Sequence, residues 1–299
     1  MFAGWGLSLS EVRDKCRSLG DVEFAQWAVD VGILSSQPPK CCGLDMHIGA
    51  KADELDGCAY RCKVCRAYVS IRRSSWCHGA HVKVRELALA LACWISERPV
   101  DTLVEECGMS KPTALSYYAR FRKAAEALYY NDLSGSPLGG PQSLCQIDES
   151  AFGRAKYNVG KALARPTYWV FGAIDCATRR VMMEHVEARD AETLLPIIES
   201  VIEPASVIHS DCWKAYSGLA AMGYEHDTVN HRENFVSPTG ANTQMIEATW
   251  GACKRWLRAR NARTRSTIMQ HVHEWCFRRN MGASFAEAWA SINQQLNLP

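Results

Sequence analysis

The sequence predicts an α/β protein in which a mixed five-stranded sheet flanked by helices follows a small cysteine-rich module and a helical region. Three observations lead to this prediction. Six cysteines lie within residues 41–77, a helical pattern fills residues 82–130, and short β-branched or aromatic runs appear from residue 144 onwards. Antiparallel strands followed by alternating helices and strands fit a mixed sheet with helices on its faces.

The composition is that of a globular protein. The chain has 299 residues, 47% of them hydrophobic, which is enough for one large domain and one or two small ones. Charged residues interrupt the N-terminal stretch early, and no run reaches the roughly 20 apolar residues of a membrane span. We therefore expect a soluble intracellular chain with no membrane partner. Its 14 cysteines should be thiols or metal ligands rather than disulfides.

Changes in composition along the chain predict six segments. They are an N-terminal helical segment (1–36), a zinc-ribbon-like module (37–80), a helical region (81–130), a linker rich in Gly, Pro and Ser (131–141), an α/β domain (142–285) and a C-terminal tail (286–299). In the first of these, Ser8 or Ser10 is the expected N-cap of the opening helix.

Part of the cysteine-rich module has the spacing of a zinc knuckle. Cys62 and Cys65 form a CxxC pair, which lets two thiolates reach one tetrahedral Zn²⁺. The other half is irregular, and we expect Cys42 to contribute the third thiolate of one structural Zn²⁺ site. A decayed ribbon that binds no zinc is the alternative. The fourth ligand stays open among Cys58, taken as the working choice, Cys41 and His47.

The net charge of +2 is spread unevenly along the chain. Residues 58–85 hold seven Lys or Arg and no acid, and residues 252–280 hold eight against one acid. In addition, a helix, a turn at Gly108 and a second helix from Ser110 resemble a helix-turn-helix, although a plain helical hairpin has the same pattern. Basic side chains here suit contacts with nucleic-acid phosphates. Those expected to make such contacts are Arg72, Arg73, Lys111, Arg120, Lys254, Arg255 and Arg258.

Three carboxylates stand where rigid elements end or begin. Asp148 ends one short apolar run, Asp211 ends another, and Glu247 lies on a helix that begins near residue 242. Oxygen ligands on rigid elements, open to a phosphate, are what a hard divalent cation needs. The order of strands and helices suits an RNase H-like fold, and the acids then predict a metal-dependent enzyme that acts on DNA. Each acid alone could equally be a turn residue, a helix cap or a solvated carboxylate.

The motifs, taken in order, resemble those of transposases of the Merlin superfamily of cut-and-paste DNA transposons and their bacterial ISXO2-like relatives. The likeness covers residues from about 40 to 280. The segments that carry most of it are residues 147–150 (IDES), 169–172 (WVFG), 210–213 (SDCW), 229–231 (VNH), 243–247 (TQMIE) and 274–275 (EW).

The resemblance implies a DDE transposase that cleaves transposon ends and joins them to target DNA. Asp148, Asp211 and Glu247 would form its catalytic triad and hold two Mg²⁺ or Mn²⁺ ions. Near the strand that should flank this site, His231 could orient an acid, contact DNA or have a hydrogen-bonded structural role. It also implies double-stranded DNA partners, namely terminal inverted repeats and target DNA, and a homodimer or larger synaptic complex. The alternatives are a host-adopted DNA-binding protein without transposition and a nuclease that does not join. We expect a nuclear location, with the bacterial cytoplasm as the alternative.

Overall fold

The computed structural model describes residues 7–152, 167–229, 240–262, 264–282 and 284–297. The chain divides into two compact units, one formed by Met1–Ala124 with Ala283–Pro299 and the other by Ala125–Gly282. None of the helices in the described ranges combines the length and the apolar character needed to cross a membrane.

The first unit combines helices with two small antiparallel sheets. Strands β1 and β2 form one sheet, and strands β3, β4 and β5 form the other. Both lie within the predicted zinc-ribbon-like module. The elements are α1 (Leu9–Ser18), α2 (Asp21–Asp30), β1 (Lys40–Cys41), β2 (Leu44–Asp45), β3 (His47–Ala50), β4 (Cys58–Arg61), β5 (Tyr68–Val69), α3 (Val84–Ile95), α4 (Val100–Cys107) and α5 (Lys111–Gly135), whose last residues belong to the second unit.

The helix ends follow the local sequence. The hydroxyl of Ser8 accepts a hydrogen bond from the backbone N–H of Glu11 and so caps α1 as expected. The long helical pattern breaks into three helices, because α4 starts after Pro99 and ends at Gly108 in the left-handed conformation (φ 64°). A helix, a glycine turn and a second helix are therefore present, while their use in binding DNA stays a prediction.

The second unit is built around a mixed five-stranded sheet. Its elements are β6 (Leu138–Gly139), β7 (Leu144–Phe152), β8 (Tyr168–Asp175), β9 (Val181–Val186), α6 (Ala191–Val201), β10 (Ile202–Glu203), β11 (Val207–Asp211), β12 (Glu225–Val229), α7 (Gln244–Ala259) and α8 (Arg265–Met281). The strand order is β12-β11-β7-β8-β9. Strand β8 runs antiparallel to both β7 and β9, whereas β11 and β12 run parallel to β7. This confirms the predicted mixed sheet with helices and fits an RNase H-like fold.

Two predicted segments look different in the structure. The expected linker 131–141 holds the end of α5 and the strand β6, which pairs with β10 through Leu138 and Ile202. Its Gly and Pro residues indicate turns, but the fully buried Leu138 fixes the segment to the second unit.

The expected tail 286–299 contains helix α9 (Phe285–Leu296), which is part of the first unit. The hydroxyl of Ser284 caps this helix by accepting a hydrogen bond from the backbone N–H of Glu287. Trp289 is buried, and its indole N–H donates to the backbone oxygen of Val31 at 2.8 Å. The sequence did not predict this helix, because the segment is short and the residue that it contacts lies far away in the chain.

Candidate active site

Strand β7 and helix α7 are joined by three side chains on one face of the strand. The amide oxygen of Gln146 accepts hydrogen bonds from the backbone N–H groups of Met245 (2.9 Å) and Ile246 (3.1 Å), at the start of α7. Two residues further along the strand, the indole N–H of Trp250 donates to Asp148 at 3.0 Å. Side chains two residues apart on a strand share a face, so these contacts place α7 directly over that face.

The third contact continues the series by two residues on the strand and four on the helix. The ammonium group of Lys254 donates to the hydroxyl of Ser150 at 2.6 Å and lies 4.9 Å from the ring centroid of Phe152. Two strand residues span about 6.6 Å and four helical residues about 6.0 Å, so the contacts stay in step along both elements.

Gly172 makes room for the indole of Trp250. It lies opposite Asp148 in the antiparallel pair of β7 and β8. A Cβ atom at position 172 would come within 2.5 Å of the Trp250 ring. Only glycine there lets the buried ring sit against the sheet and point its N–H at the Asp148 carboxylate.

Strand register places Asp211 level with Asp148. His209 of β11 pairs with Gln146 of β7 in the parallel ladder. Extending that register by two residues sets Asp211 beside Asp148, and neighbouring strands lie about 4.8 Å apart. One carboxylate oxygen of Asp211 accepts the backbone N–H of Trp213 at 2.9 Å, which fixes the carboxylate at the strand end.

Glu247 lies in the first turn of α7 and is exposed. The Thr243 hydroxyl donates to its carboxylate at 3.2 Å. An acidic side chain is favoured at a helix N-terminus because it interacts with the partial positive charge there. Glu247 is one residue past Ile246, so the cap provided by Gln146 also sets the position of this acid.

The three acids interact electrostatically. Burial raises the pKa of Asp148 to about 6; backbone and Trp250 hydrogen bonds oppose the increase, and the charges of Asp211 and Glu247 add to it. Like charges close together disfavour ionisation, which a bound cation would relieve. Their oxygen atoms are hard donors of the kind that Mg²⁺ and Mn²⁺ take. The donor set therefore fits divalent metal ions.

A fourth acid, Glu149, sits next to the triad on the opposite face of β7. It accepts a hydrogen bond from the Tyr216 hydroxyl, and a guanidinium nitrogen of Arg189 lies 4.0 Å from its carboxylate. Burial raises its pKa to about 7, with the charges of Asp148 and Asp211 adding to the increase. The sequence does not single out Glu149, because strand alternation alone does not reveal the tyrosine and arginine that hold it.

Comparison with known proteins identifies a family for the second half of the chain. Residues 133–280 match the model of the ISXO2-like transposase domain family. Residues 133–280 belong to that family. An "uncharacterized transposase-like protein" of Haemophilus influenzae is 28% identical over 89 residues, which cover 29% of this chain and 67% of that protein. The prediction of a relative of the bacterial insertion-sequence DDE transposases is therefore confirmed for the transposase domain.

Among solved structures, retroviral integrases show a distant likeness. The catalytic core of BIV integrase is 13% identical with a TM-score of 0.31, covering 44% of this chain and 79% of that domain. The HTLV-2 integrase core, solved in complex with magnesium, is 14% identical with a TM-score of 0.32, covering 46% of this chain and 85% of that chain. A chain in the structure of the simian T-cell lymphotropic virus intasome in complex with PP2A regulatory subunit B56 gamma is 17% identical with a TM-score of 0.33, covering 62% of this chain and 66% of that chain. At these identities and TM-scores, the likeness does not indicate a shared activity.

The basic residues predicted in the transposase domain differ in their surroundings. Lys254 is half-buried between β7 and α7, and burial lowers its pKa, so it belongs to the site itself. Arg255 and Arg258 are exposed on α7. His231 lies outside the described residues.

In the first unit, four thiols form a compact group. The Sγ atoms of Cys41, Cys42, Cys62 and Cys65 all lie within 4.8 Å of one another. Backbone N–H groups of Cys65 and Val64 lower the pKa of Cys62 to about 6, as expected for a knuckle that stabilises thiolates. Within the described ranges, no other group of three or more His, Cys, Asp or Glu residues brings its ligand atoms within 4.8 Å of one another.

The working choice of Cys58 as fourth zinc ligand is wrong, because the structure brings Cys41 to the group instead. Cys42 adopts φ 51° and Gly43 φ 78°, and this tight turn between β1 and β2 presents both adjacent thiols to the knuckle. Cys58 is buried on β4 and lies 3.5 Å from the backbone oxygen of Asp21. Adjacent cysteines usually point apart, which is why spacing alone did not identify the pair.

Arg72 is not placed for contact with DNA, contrary to the prediction. It is 5% exposed and forms a bidentate ion pair with Asp56, at 2.6 and 2.7 Å. Asp56 also accepts the backbone N–H of Val84 and so anchors the start of α3. Arg73, the next residue, is exposed.

Two other predicted contacts lie in the helical region. Arg120 is exposed but donates to the backbone oxygen of Trp76 at 2.7 Å and lies 5.3 Å from its ring centroid. Lys111 is exposed and pairs with Asp101 at 2.6 Å. Both are anchored at the surface, and their contact with DNA remains a prediction.

Replacing Arg72 with alanine should lower the free energy of unfolding by about 3 kcal/mol, because Asp56 would keep a buried charge without its ion-pair partner. Arg73→Ala is the matched control and should change stability by less than about 0.5 kcal/mol. Urea denaturation followed by circular dichroism measures both. Equal stability of the two variants would contradict a structural role for Arg72.

The zinc content of two cysteine variants distinguishes the fourth ligand. The wild-type chain should retain one zinc per molecule after desalting, Cys58→Ser should also retain it, and Cys41→Ser should lose it because a structural site needs four ligands. Elemental analysis gives the stoichiometry. Zinc retained by Cys41→Ser and lost from Cys58→Ser would restore the sequence-based choice.

Proposed function

We propose that the protein is a DDE transposase that cuts transposon ends and joins them to target DNA, using Asp148, Asp211 and Glu247. The observation that carries this proposal is the placement of the three carboxylates on elements that are joined to β7. Two come from level positions on neighbouring strands, and the third from a helix bonded to one of those strands. The family match of residues 133–280 supports the same activity.

The three carboxylates would hold two Mg²⁺ or Mn²⁺ ions. When bound, a pair of such ions clamps the attacking and leaving oxygens of an in-line displacement at a phosphate. Water and a freed 3′-hydroxyl are both suitable attacking groups, so one site can serve cleavage and joining. The match of residues 133–280 to a transposase family is what favours a transposase over a nuclease that only hydrolyses.

The remaining residues of the site act by holding and orienting. Trp250 fixes the Asp148 carboxylate by its indole N–H, so the acid keeps one orientation through successive steps. Lys254 contributes a positive charge beside Ser150. Arg255 and Arg258, exposed further along α7, are suited to bind the phosphates of DNA that leads into the site.

The first unit would recognise the DNA. Its Cys41, Cys42, Cys62 and Cys65 would hold one structural Zn²⁺, and the turn between α4 and α5 would present Lys111 and Arg120 to terminal inverted repeats. Because one catalytic site cuts one end at a time, pairing of two ends requires a homodimer or larger synaptic complex. A nucleus is the proposed location, with the bacterial cytoplasm as the alternative.

The proposal predicts divalent-metal-dependent cutting and joining of a DNA duplex that carries the transposon's terminal repeats. Asp211→Asn should bind this duplex but cut it at least about a hundredfold more slowly, since it removes one metal-binding charge from the transition state. Asp190→Asn is the matched control, because Asp190 caps α6 outside the site and asparagine caps a helix equally well.

Gel-based assays with Mg²⁺ and with Mn²⁺ follow cleavage and strand transfer separately. Cleavage by wild type and Asp190→Asn but not by Asp211→Asn supports the proposal. Binding without any cleavage by the wild type would instead indicate a host-adopted DNA-binding protein, and cleavage without joining would indicate a nuclease.

A further inference from the structure

Trp213 is a large aromatic side chain that remains exposed beside the triad. Its relative exposure is 42%, and it is the one tryptophan among the exposed large hydrophobic residues of the described part of the chain. The exposed ring is nevertheless fixed, since its indole N–H donates to the backbone oxygen of Arg189 at 2.8 Å. The ring therefore presents a flat apolar surface to solvent in a defined orientation.

Arg189 adds a cation to this surface. Its guanidinium carbon lies 5.0 Å from the ring centroid of Trp213 and 3.7 Å from that of Trp169. On its other side, a guanidinium nitrogen lies 4.0 Å from the buried Glu149 carboxylate. The arginine is therefore held between two indoles and an acid, while about a third of its side chain stays exposed.

The backbone ties this surface to the triad. The N–H of Trp213 donates to the Asp211 carboxylate at 2.9 Å, and two residues of chain span at most about 7 Å. A phosphate held at Asp211 would therefore have a neighbouring nucleotide within reach of the Trp213 ring.

We propose that Trp213 and Arg189 form a stacking site for an unpaired nucleobase beside the phosphate that is cut. This inference rests on the proposed transposase function and names a further contact with its substrate. The indole stacks on the base, and the guanidinium group binds the adjacent phosphate. Stacking of this kind accepts any base, because every base has a π-face.

At the end of a duplex, such a stacking site would lower the cost of unpairing a base. A paired and stacked nucleotide keeps its phosphate within the regular helix. Unstacking a base costs free energy that a protein surface must return by stacking with it. Trp213 provides that surface two residues from a proposed metal ligand, so the base and the phosphate are positioned together.

The test compares two fluorescein-labelled probes of equal charge. Each is a 20-base-pair duplex with a four-nucleotide single-stranded extension, made of thymidines in one probe and abasic residues in the other. Fluorescence anisotropy should show that the full-length, zinc-loaded wild type binds the thymidine probe about tenfold more tightly. Trp213→Ala should bind both probes equally, and Trp213→Phe should keep the preference.

Tyr68→Ala is the matched control, since Tyr68 is an equally exposed aromatic residue (43%) with Lys51 and Arg61 over its ring, but in the other unit. It should leave the ratio between the probes unchanged. A wild type that binds both probes equally, yet still cuts transposon ends, would overturn the stacking site alone. A wild type that binds neither probe and cuts no DNA would overturn the proposed function as well.

Discussion

Glu247 lies close enough to Asp148 for its charge to raise the pKa of Asp148. It is held there because three side chains of β7 form hydrogen bonds with α7 at matching intervals along the strand and the helix. The commensurate spacing of the strand and the helix keeps these contacts aligned over the length of the site. Gln146 is the most consequential of them, since it accepts two backbone N–H groups at the beginning of the helix. Without this series, the third carboxylate would have no fixed position relative to the other two.

Such rigidity is needed because the acids repel one another. Close carboxylates would spread apart unless the backbone held them. The pKa of Asp148, raised chiefly by burial and further by the charges of Asp211 and Glu247, shows that its charged form is disfavoured in this position. Gly172 and Trp250 contribute to this positioning, because a glycine on the sheet makes space for the indole that orients the Asp148 carboxylate. The favourable packing and hydrogen bonds of the folded domain thus offset the mutual repulsion of the three carboxylates.

The sequence predicted the mixed sheet well because strand patterns are local signals. The strand-end carboxylates are local signals too, and their catalytic role stays a prediction. It did not predict which cysteine completes the thiol group, since that depends on the turn conformation of Cys42. Nor did it separate Arg72 from Arg73, because burial beside Asp56 is a tertiary property. Helix α9 was missed for the same reason, as its partners lie more than two hundred residues away in the chain.

Counting bound Mn²⁺ tests most directly whether the three carboxylates form one two-metal site. Electron paramagnetic resonance titration of the wild type with a DNA duplex should give two Mn²⁺ per chain. Glu247→Gln should give one, because Asp148 and Asp211 would still bind an ion between the neighbouring strands. Two ions in both proteins, or none in the wild type, would contradict the assignment of Glu247 and with it the central role of the β7–α7 contacts.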